Sequence, residues 1–345
     1  MSGATGGPPD TGSSQVNPPT ISLIVPVGGD VPEFERCFAG IARLDPPPTE
    51  VIAVLDGDDP AVANSADEIG ATVLVRSLSG GPAIARNLGA RSARGDILFF
   101  VDADVELPRD TVGRITGIFE RNPDLSGLFG SYDAEPAEGD FFSQYRNLLH
   151  HYVHQHSRTE ASTFWAGCGA ILRPVFEEVG GFDETYPVPC IEDIELGSRL
   201  RRAGHNILLA KDLQVKHLKR WRPGNMLATD LLRRAVPWTR LMLHEGRLLN
   251  DLNVKTNDRL SVSLAWSILP GIVAGFLWPP AFVAAAVTGG LLLILNRDLY
   301  RFYLELRGVT FALRSIFWHW VYLLTCGLGF ALGAVRHAVM TGRRP

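Results

Sequence analysis

Two long runs without a charged side chain constrain the fold of this chain more than any other feature. Residues 261–295 and 315–335 contain no Asp, Glu, Lys or Arg, and Arg314 and Arg336 flank the second run. A helix needs about 20 consecutive apolar residues to cross a bilayer, and Pro279-Pro280 divides the first run into two limbs near the lower limit. The pattern predicts membrane helices at about 261–278, 281–295 and 315–335. Pro270 is expected to interrupt the first of them.

The alternative is that these segments are core helices of a soluble protein, but core helices rarely stay uncharged for so long. The preceding residues are basic, with nine Lys and Arg against three Asp and Glu between Lys211 and Arg247. Basic groups are attracted to anionic lipid, so residues 223–260 are predicted to form an amphipathic segment in the headgroup region. Four histidines, His150, His151, His154 and His156, are expected to be solvated or interfacial, although a metal site is the alternative.

Composition excludes several functions. A net charge of −4 provides no dominant basic face for nucleic acid. The four cysteines form no C-x-x-C pair, which suits a reducing compartment. Residues 1–19 are rich in Gly, Pro, Ser and Thr and are predicted to be disordered. They have neither the basic nor the apolar region of a signal peptide, so the following domain is expected on the cytoplasmic side.

The first half alternates short β-rich runs with helical patterns. Strands are predicted at 21–27, 51–55, 72–75 and 97–101, and helices, each opening with a proline, at 32–42, 60–69 and 82–93. This is a βαβ pattern with a largely parallel sheet, typical of nucleotide-binding domains. Ligands of such sheets bind beyond the carboxyl ends of the strands, where Asp56 and Asp102 are located.

Asp102 and Asp104 follow the fourth predicted strand, one residue apart. In an extended backbone both carboxylates point to the same side. That arrangement suits Mg²⁺ or Mn²⁺, which takes few protein carboxylates and completes its shell with phosphate oxygens. The alternative is that Asp102 and Asp104 lie in a solvated turn, because acidic residues after a strand often do.

Several motifs between residues 21 and 221 resemble those of family 2 glycosyltransferases with the GT-A fold. Ile21-Ser-Leu-Ile-Val-Pro-Val resembles the family's opening strand, and Val54-Leu-Asp-Gly-Asp-Asp resembles the segment whose aspartate, here Asp56, contacts the nucleotide base. Gly81-Pro-Ala-Ile-Ala-Arg-Asn resembles the donor-side helix, where Arg86 meets the diphosphate and Asn87 supports the loop. The resemblance assigns donor binding to Pro26, Val27, Asp30, Asp56, Arg86, Asp102, Arg220 and Trp221.

Phe182-Asp-Glu and Glu192-Asp-Ile-Glu-Leu resemble the acceptor loop and the acidic motif that supplies the general base of inverting members. The resemblance makes Asp193, with Glu192, the candidate catalytic pair, because a base must accept the proton of a sugar hydroxyl. The alternative is helix capping. Acids are favoured at a helix start, and Glu195 with Arg199 forms an i,i+4 pair.

His217-Leu-Lys-Arg-Trp resembles the family's Q-x-x-R-W motif, with histidine in place of glutamine. A neutral imidazole coordinates divalent ions, so His217 joins Asp102 and Asp104 as a candidate metal ligand. For Arg220 and Trp221 the alternative is a membrane-surface anchor.

The resemblance implies an α/β protein whose GT-A catalytic domain, Rossmann-like with a mostly parallel sheet, spans 20–222 and precedes a helical membrane module. The expected activity is that of an inverting, metal-dependent, hexosyltransferase-like enzyme. It would move sugar from a UDP- or GDP-sugar to a lipid or glycan acceptor, such as a cell-envelope polysaccharide. The expected location is a multi-pass membrane protein with a cytoplasmic catalytic domain. Two alternatives remain, a nucleotide-sugar-binding scaffold without turnover and a nucleotidyltransferase.

Overall fold

The computed structural model describes residues 18–28, 32–77, 80–246 and 251–341. They form an α/β domain followed by a helical module. Almost all of the predicted disordered tail lies outside the described residues, as does Asp30.

The first half of the domain has the predicted βαβ order. Its elements are β1 (Ile21–Gly28), α1 (Phe34–Ala42), β2 (Glu50–Asp56), α2 (Pro60–Glu68), β3 (Thr72–Arg76), α3 (Pro82–Ser92) and β4 (Ile97–Val101). Pro60 and Pro82 open their helices, whereas Pro32 lies before the first turn of α1. Strands β3, β2, β1 and β4 pair in parallel, and Leu23 and Ile24 are fully buried on the two faces of β1.

The second half makes the sheet mixed. It contains β5 (Val105–Glu106), α4 (Thr111–Arg121), β6 (Leu125–Tyr132), α5 (Phe141–Gln155), β7 (Cys168–Leu172), α6 (Arg173–Glu178), α7 (Glu192–Arg202) and β8 (Asn206–His217). Strand order in the described sheet is β3-β2-β1-β4-β7-β6-β8-β5. Strand β7 is antiparallel to β4 and β6, and β5 is antiparallel to β8. The expectation of a mostly parallel sheet holds for the first half and for the β6–β8 pair. Strands β5 and β7 make the sheet mixed, because their direction follows long-range pairing that local periodicity does not encode.

The C-terminal module is helical throughout its described residues. It comprises α8 (Pro223–Ala228), a π-helix (Thr229–Ala235), α9 (Val236–Glu245), a 3₁₀ turn (Leu252–Val254), α10 (Thr256–Gly275), α11 (Pro280–Leu295) and α12 (Arg297–Thr341). Helix α10 continues through Pro270, so the predicted interruption is wrong. The predicted amphipathic segment is several short helices rather than one. Among the described helices, α12 is long and apolar enough to cross a membrane, and α11 is a shorter apolar helix of 16 residues.

Helix α12 has two arms that meet at Gly308, whose φ of 79° breaks the helical backbone. The first arm packs on α5 of the α/β domain, where Tyr303 is fully buried beside Tyr145. Arg307 donates hydrogen bonds to Gln144 Oε1 and to the Ala134 carbonyl, each at 2.8 Å. The helical module is therefore attached to the α/β domain by a packed interface as well as by the chain.

Candidate active site

A cavity of about 190 Å³ lies next to the carboxyl end of β4 and collects most of the predicted catalytic side chains. We call it the catalytic cavity. Its walls come from the residues after β4, from α5, from the start of α7, from the end of β8 and from the π-helix. Among its lining residues are Arg86, Asp102, Asp104, Glu192, Asp193, His217 and Trp221.

Arg86 joins two of these acids. Its guanidinium is buried in α3, where Nη2 donates to Asp102 Oδ1 at 2.7 Å and Nη1 donates to Glu192 Oε1 at 2.9 Å. Such charge-assisted hydrogen bonds orient both carboxylates. Burial still raises the pKa of Asp102 above its ordinary value, because it outweighs the attraction of Arg86.

Asp104 lies in a basic environment. Its Oδ2 is 3.5 Å from Lys219 Nζ and 3.8 Å from His217 Nε2. Burial opposes ionisation, but the neighbouring imidazole and ammonium lower the pKa of Asp104 below its ordinary range. The fold creates this contact because β5 and β8 are antiparallel and place Val105 opposite His217. His217 is itself buried and stacks on Tyr132 with ring centroids 4.1 Å apart.

Glu192 and Asp193 occupy the first turn of α7. Glu192 accepts a hydrogen bond from the Cys190 amide, and Asp193 accepts from the Ala166 amide at 3.3 Å. The residue preceding α7 is Ile191, which provides no side-chain cap. Burial and the nearby charge of Glu192 raise the pKa of Asp193 to about 7. A carboxylate with this pKa is suited to accept a proton at neutral pH.

Other predicted donor-binding residues lie outside the lining of the catalytic cavity. Pro26 and Val27 are at the end of β1, and Asp56 ends β2, where its Oδ1 is 2.6 Å from Arg76. Arg220 is exposed, with its Nε 3.8 Å from Glu138 and 3.9 Å from Asp140. Trp221 does line the cavity, and Lys219 and Arg146 lie over its ring.

Asn87 supports the acceptor-side loop. Its side-chain amide donates to the Phe182 carbonyl at 2.8 Å and to Glu184 Oε1, and its Oδ1 accepts from the Phe182 amide at 2.9 Å. The side chain thus pairs with the backbone of the Phe182-Asp-Glu segment in both directions.

Part of this domain resembles the sequences of known glycosyltransferases. Residues 22–180 match the sequence profile described as Glycosyl transferase family 2. This match covers slightly less than half of the 345-residue chain. It is 31% identical over 108 residues to the uncharacterised glycosyltransferase EpsJ of Bacillus subtilis strain 168. That match covers 30% of this chain and 31% of EpsJ, so the two correspond over about a third of their lengths.

A solved structure shares the fold over most of the chain. The mannosyltransferase PcManGT from Pyrobaculum calidifontis, in complex with GDP-Man and Mn²⁺, superimposes with a TM-score of 0.58 at 17% identity. The superposition covers 95% of this chain and 89% of that one. The mixed sheet with flanking helices is accordingly a GT-A fold, as expected from the sequence.

The α/β domain offers few candidate metal ligands in the catalytic cavity. Within the described residues, no three His, Cys, Asp or Glu side chains are grouped so as to hold a metal ion. Asp102 and Asp104 provide hard carboxylate oxygens, and His217 lies beside Asp104. This donor set fits a cation whose remaining ligands are phosphate oxygens.

Several lining residues were not predicted from the sequence. Arg146, of α5, forms a buried ion pair with Asp230 of the π-helix at 2.6 Å. His150 and His154 also line the cavity, and burial lowers the pKa of His154 to about 3. The expectation of solvated or interfacial histidines is wrong for His151 and His154, which are buried because α5 packs between β6 and the helical module. The spacing of these residues in the sequence gave no indication that they would meet in this cavity.

Proposed function

We propose that this protein is an inverting, metal-dependent glycosyltransferase. It moves a sugar, as a hexosyltransferase does, from a UDP- or GDP-sugar to a lipid-linked or glycan acceptor at the cytoplasmic face of a membrane. The observation that carries the proposal is the convergence on one cavity of Asp102 and Asp104, which follow β4, with Asp193 of the distant helix α7. The family of the domain and its GT-A fold support the reaction class.

Asp104 and Asp102 are the proposed ligands of Mg²⁺ or Mn²⁺, with His217 beside them. The low pKa of Asp104 supports this role, since the carboxylate stays ionised at physiological pH. The relative PcManGT was solved with GDP-Man and Mn²⁺. When bound, the cation supplies positive charge that stabilises a departing nucleoside diphosphate. Arg86 holds Asp102 in place for that task.

Asp193 is the proposed general base. The acceptor oxygen forms a bond to the anomeric carbon while its proton passes to Asp193. The bond from that carbon to the donor diphosphate breaks, and the nucleoside diphosphate leaves with its electron pair. One displacement of this kind inverts the anomeric configuration. Asp193 lines the cavity from α7 and Asp104 from the segment after β4, which supports separate roles for the two acids.

Membrane association is proposed from the surface of the helical module. Around the α10–α11 turn, Phe276, Leu277 and Trp278 are 79%, 91% and 64% exposed. Contiguous exposed apolar surface of this kind marks a membrane or protein interaction site. The long apolar helix α12 adds to this surface.

The test is product analysis with purified protein in detergent. UDP- and GDP-sugars labelled in the sugar are incubated with a membrane lipid extract and Mn²⁺, Mg²⁺ or a chelator. We expect nucleoside diphosphate release and a labelled product that both require the cation. Pyrophosphate release would identify a nucleotidyltransferase. Donor binding without any released product would identify a scaffold.

A further inference from the structure

A second cavity, of about 510 Å³, lies between the catalytic domain and the helical module. We call it the tail cavity. It is bounded by α5, the π-helix, α9, α10 and α12, and its apolar walls include Leu149, Val153, Val262, Leu299 and Leu323. Its volume falls in the range of about 300–1,000 Å³ typical of small-molecule sites.

The tail cavity adjoins the catalytic cavity. Arg234, Trp238 and Asn253 line both. One end of a ligand that fills the tail cavity can therefore reach the shared residues, next to the catalytic cavity that Asp193 lines.

Two side chains at this junction, Arg234 and Trp238, lack close partners within the described part of the chain. Arg234 has no ion-pair partner within 4.0 Å among the described residues, whereas its neighbour Arg146 is paired with Asp230. Trp238 is buried, and its Nε1 has no hydrogen-bond partner. A buried donor without an acceptor costs free energy, so Trp238 Nε1, beside the half-buried Arg234, points to a missing ligand.

Asp230 and Asp193 attract Arg234 electrostatically, but the acids that line the tail cavity make their close contacts with other groups. Asp230 is engaged by Arg146 at 2.6 Å, Asp258 accepts from the Lys255 amide at 2.9 Å, and Asp298 lies 3.5 Å from Arg297. Arg234 belongs to the π-helix, a conformation that is rare and frequent at functional sites. The junction is therefore suited to an anionic group.

We propose that the acceptor is a lipid whose apolar chain occupies the tail cavity and whose anionic head group binds Arg234 and Trp238 Nε1. A hydroxyl carried beyond the head group then reaches Asp193. This proposal rests on the proposed glycosyltransfer, for which it specifies the acceptor class. A lipid source is favoured because the outer surfaces of α10 and α12 are apolar, with Leu269 44% and Phe317 61% exposed.

The test measures binding without a donor, using the full chain in nanodiscs of zwitterionic lipid. The probes are radiolabelled dodecyl phosphate, with unlabelled dodecanol and inorganic phosphate as competitors. We expect dodecyl phosphate to bind and both competitors to displace it poorly. Arg234→Gln should weaken binding roughly tenfold to a hundredfold, since a charged hydrogen-bond partner is lost. Trp238→Phe, which keeps an aromatic ring but removes the indole N–H, should weaken dodecyl phosphate binding several-fold.

Matched variants separate binding from folding. Arg240→Gln removes an arginine of α9 that lines neither cavity and should leave the affinity unchanged. Val262→Trp fills the tail cavity and should reduce binding, whereas Leu269→Trp on the outer face of α10 should not.

Equal displacement by dodecanol, or unchanged affinity in both Arg234→Gln and Trp238→Phe, would overturn the head-group site. Equal displacement by inorganic phosphate would identify a free-anion site and overturn the lipid site. Binding of UDP- or GDP-sugar with Mn²⁺ is measured separately on the unmodified protein. Its absence would refute the proposed glycosyltransfer itself, and with it the acceptor role of the lipid.

Discussion

Two aspartates in the catalytic cavity have pKa values shifted in opposite directions. His217 and Lys219 lower that of Asp104 despite its burial, whereas burial and Glu192 raise that of Asp193 to about 7. One acid is thus kept as an anion, and the other changes protonation state near neutral pH. This difference arises from neighbours, because the two residues have the same chemistry in the unfolded chain.

Replacement of Asp104 tests the cation site. We expect Asp104→Ala to lose cation-dependent donor binding and at least roughly 100-fold of turnover, since the carboxylate ligand is removed. Isothermal titration with donor and Mn²⁺ checks the binding. Asp110→Ala, which removes an exposed aspartate at the start of α4, is the control and should behave as the unmodified protein. Unchanged Mn²⁺ dependence in Asp104→Ala would show that the acid lies in a solvated turn.

Replacement of Asp193 tests the base. Asp193→Asn should lower turnover about 10²–10⁴-fold with little change in donor affinity, because an amide accepts no proton. In the unmodified enzyme, turnover should rise as the pH increases through about 7, where the carboxyl ionises. The variant should lose this rise. Steady-state kinetics at several pH values measure both, and a variant with unchanged turnover would exclude Asp193 as the base.

The raised pKa of Asp193 also predicts how the stability of the folded protein depends on pH. The folded state raises the pKa of Asp193 from 3.8 to about 7, so the carboxyl contributes stability at low pH that is lost as the pH rises through about 7. Asp193→Asn should therefore be at least as stable as the unmodified protein at pH 8, measured by thermal unfolding in detergent. A capping role for Asp193 predicts a lower melting temperature instead.

At the scale of elements, antiparallel pairing of β5 with β8 brings together charged side chains from distant parts of the chain. Asp104 and Lys219 are 115 residues apart in sequence and meet through this pair. In α7, by contrast, the Glu195–Arg199 pair is local and stabilises the helix, with Arg199 Nη2 2.7 Å from Glu195 Oε2. The acids of α7 thus divide into a structural Glu195 and the two that line the cavity.

The break in helix α12 is a second feature at the scale of secondary-structure elements. Gly308 has a φ of 79° and ψ of 179°, a conformation essentially restricted to glycine. Gly308→Ala should cost about 1–3 kcal/mol and lower the melting temperature. Gly290→Ala in α11 is the control, because an added Cβ there contacts nothing and alanine favours a helix. Equal melting temperatures for both variants would mean that the break is not required by the fold.

At the scale of the whole molecule, a helical module with an apolar surface is packed against a catalytic domain. Three crossings remain a prediction, since α11 is shorter than the roughly 20 residues needed to span a bilayer. Four arginines around the first arm of α12 favour a cytoplasmic position for it under the positive-inside rule: Arg297, Arg301, Arg307 and Arg314.

Cysteine labelling tests this topology. Glu305→Cys and Thr341→Cys are made singly in a background that lacks the four native cysteines, and intact cells are treated with a membrane-impermeant maleimide. Three crossings predict labelling at position 341 alone, with both sites labelled after permeabilisation. Labelling at 305, or at neither site in intact cells, would contradict it. Position 305 is preferred to Gly308 because a cysteine there adopts an ordinary helical backbone.

The sequence by itself determined the features that depend on near neighbours. The strands β1 to β4, the helices that follow the first three of them and the uncharged C-terminal helices were all predicted, because side-chain periodicity and proline act over one or two turns. Asp102 and Asp104 were likewise found by their position after a strand. The resemblance to family 2 glycosyltransferases added the reaction class.

Only the tertiary structure decided the direction of β7, the contact of Asp104 with His217 and Lys219, and the burial of His154. It also placed Arg220 on the surface and joined the two cavities at Arg234 and Trp238. The physical reason is common to all of these features. Each depends on contacts between elements far apart in the chain, and the pKa and partners of a side chain are set by those contacts rather than by its neighbours in sequence.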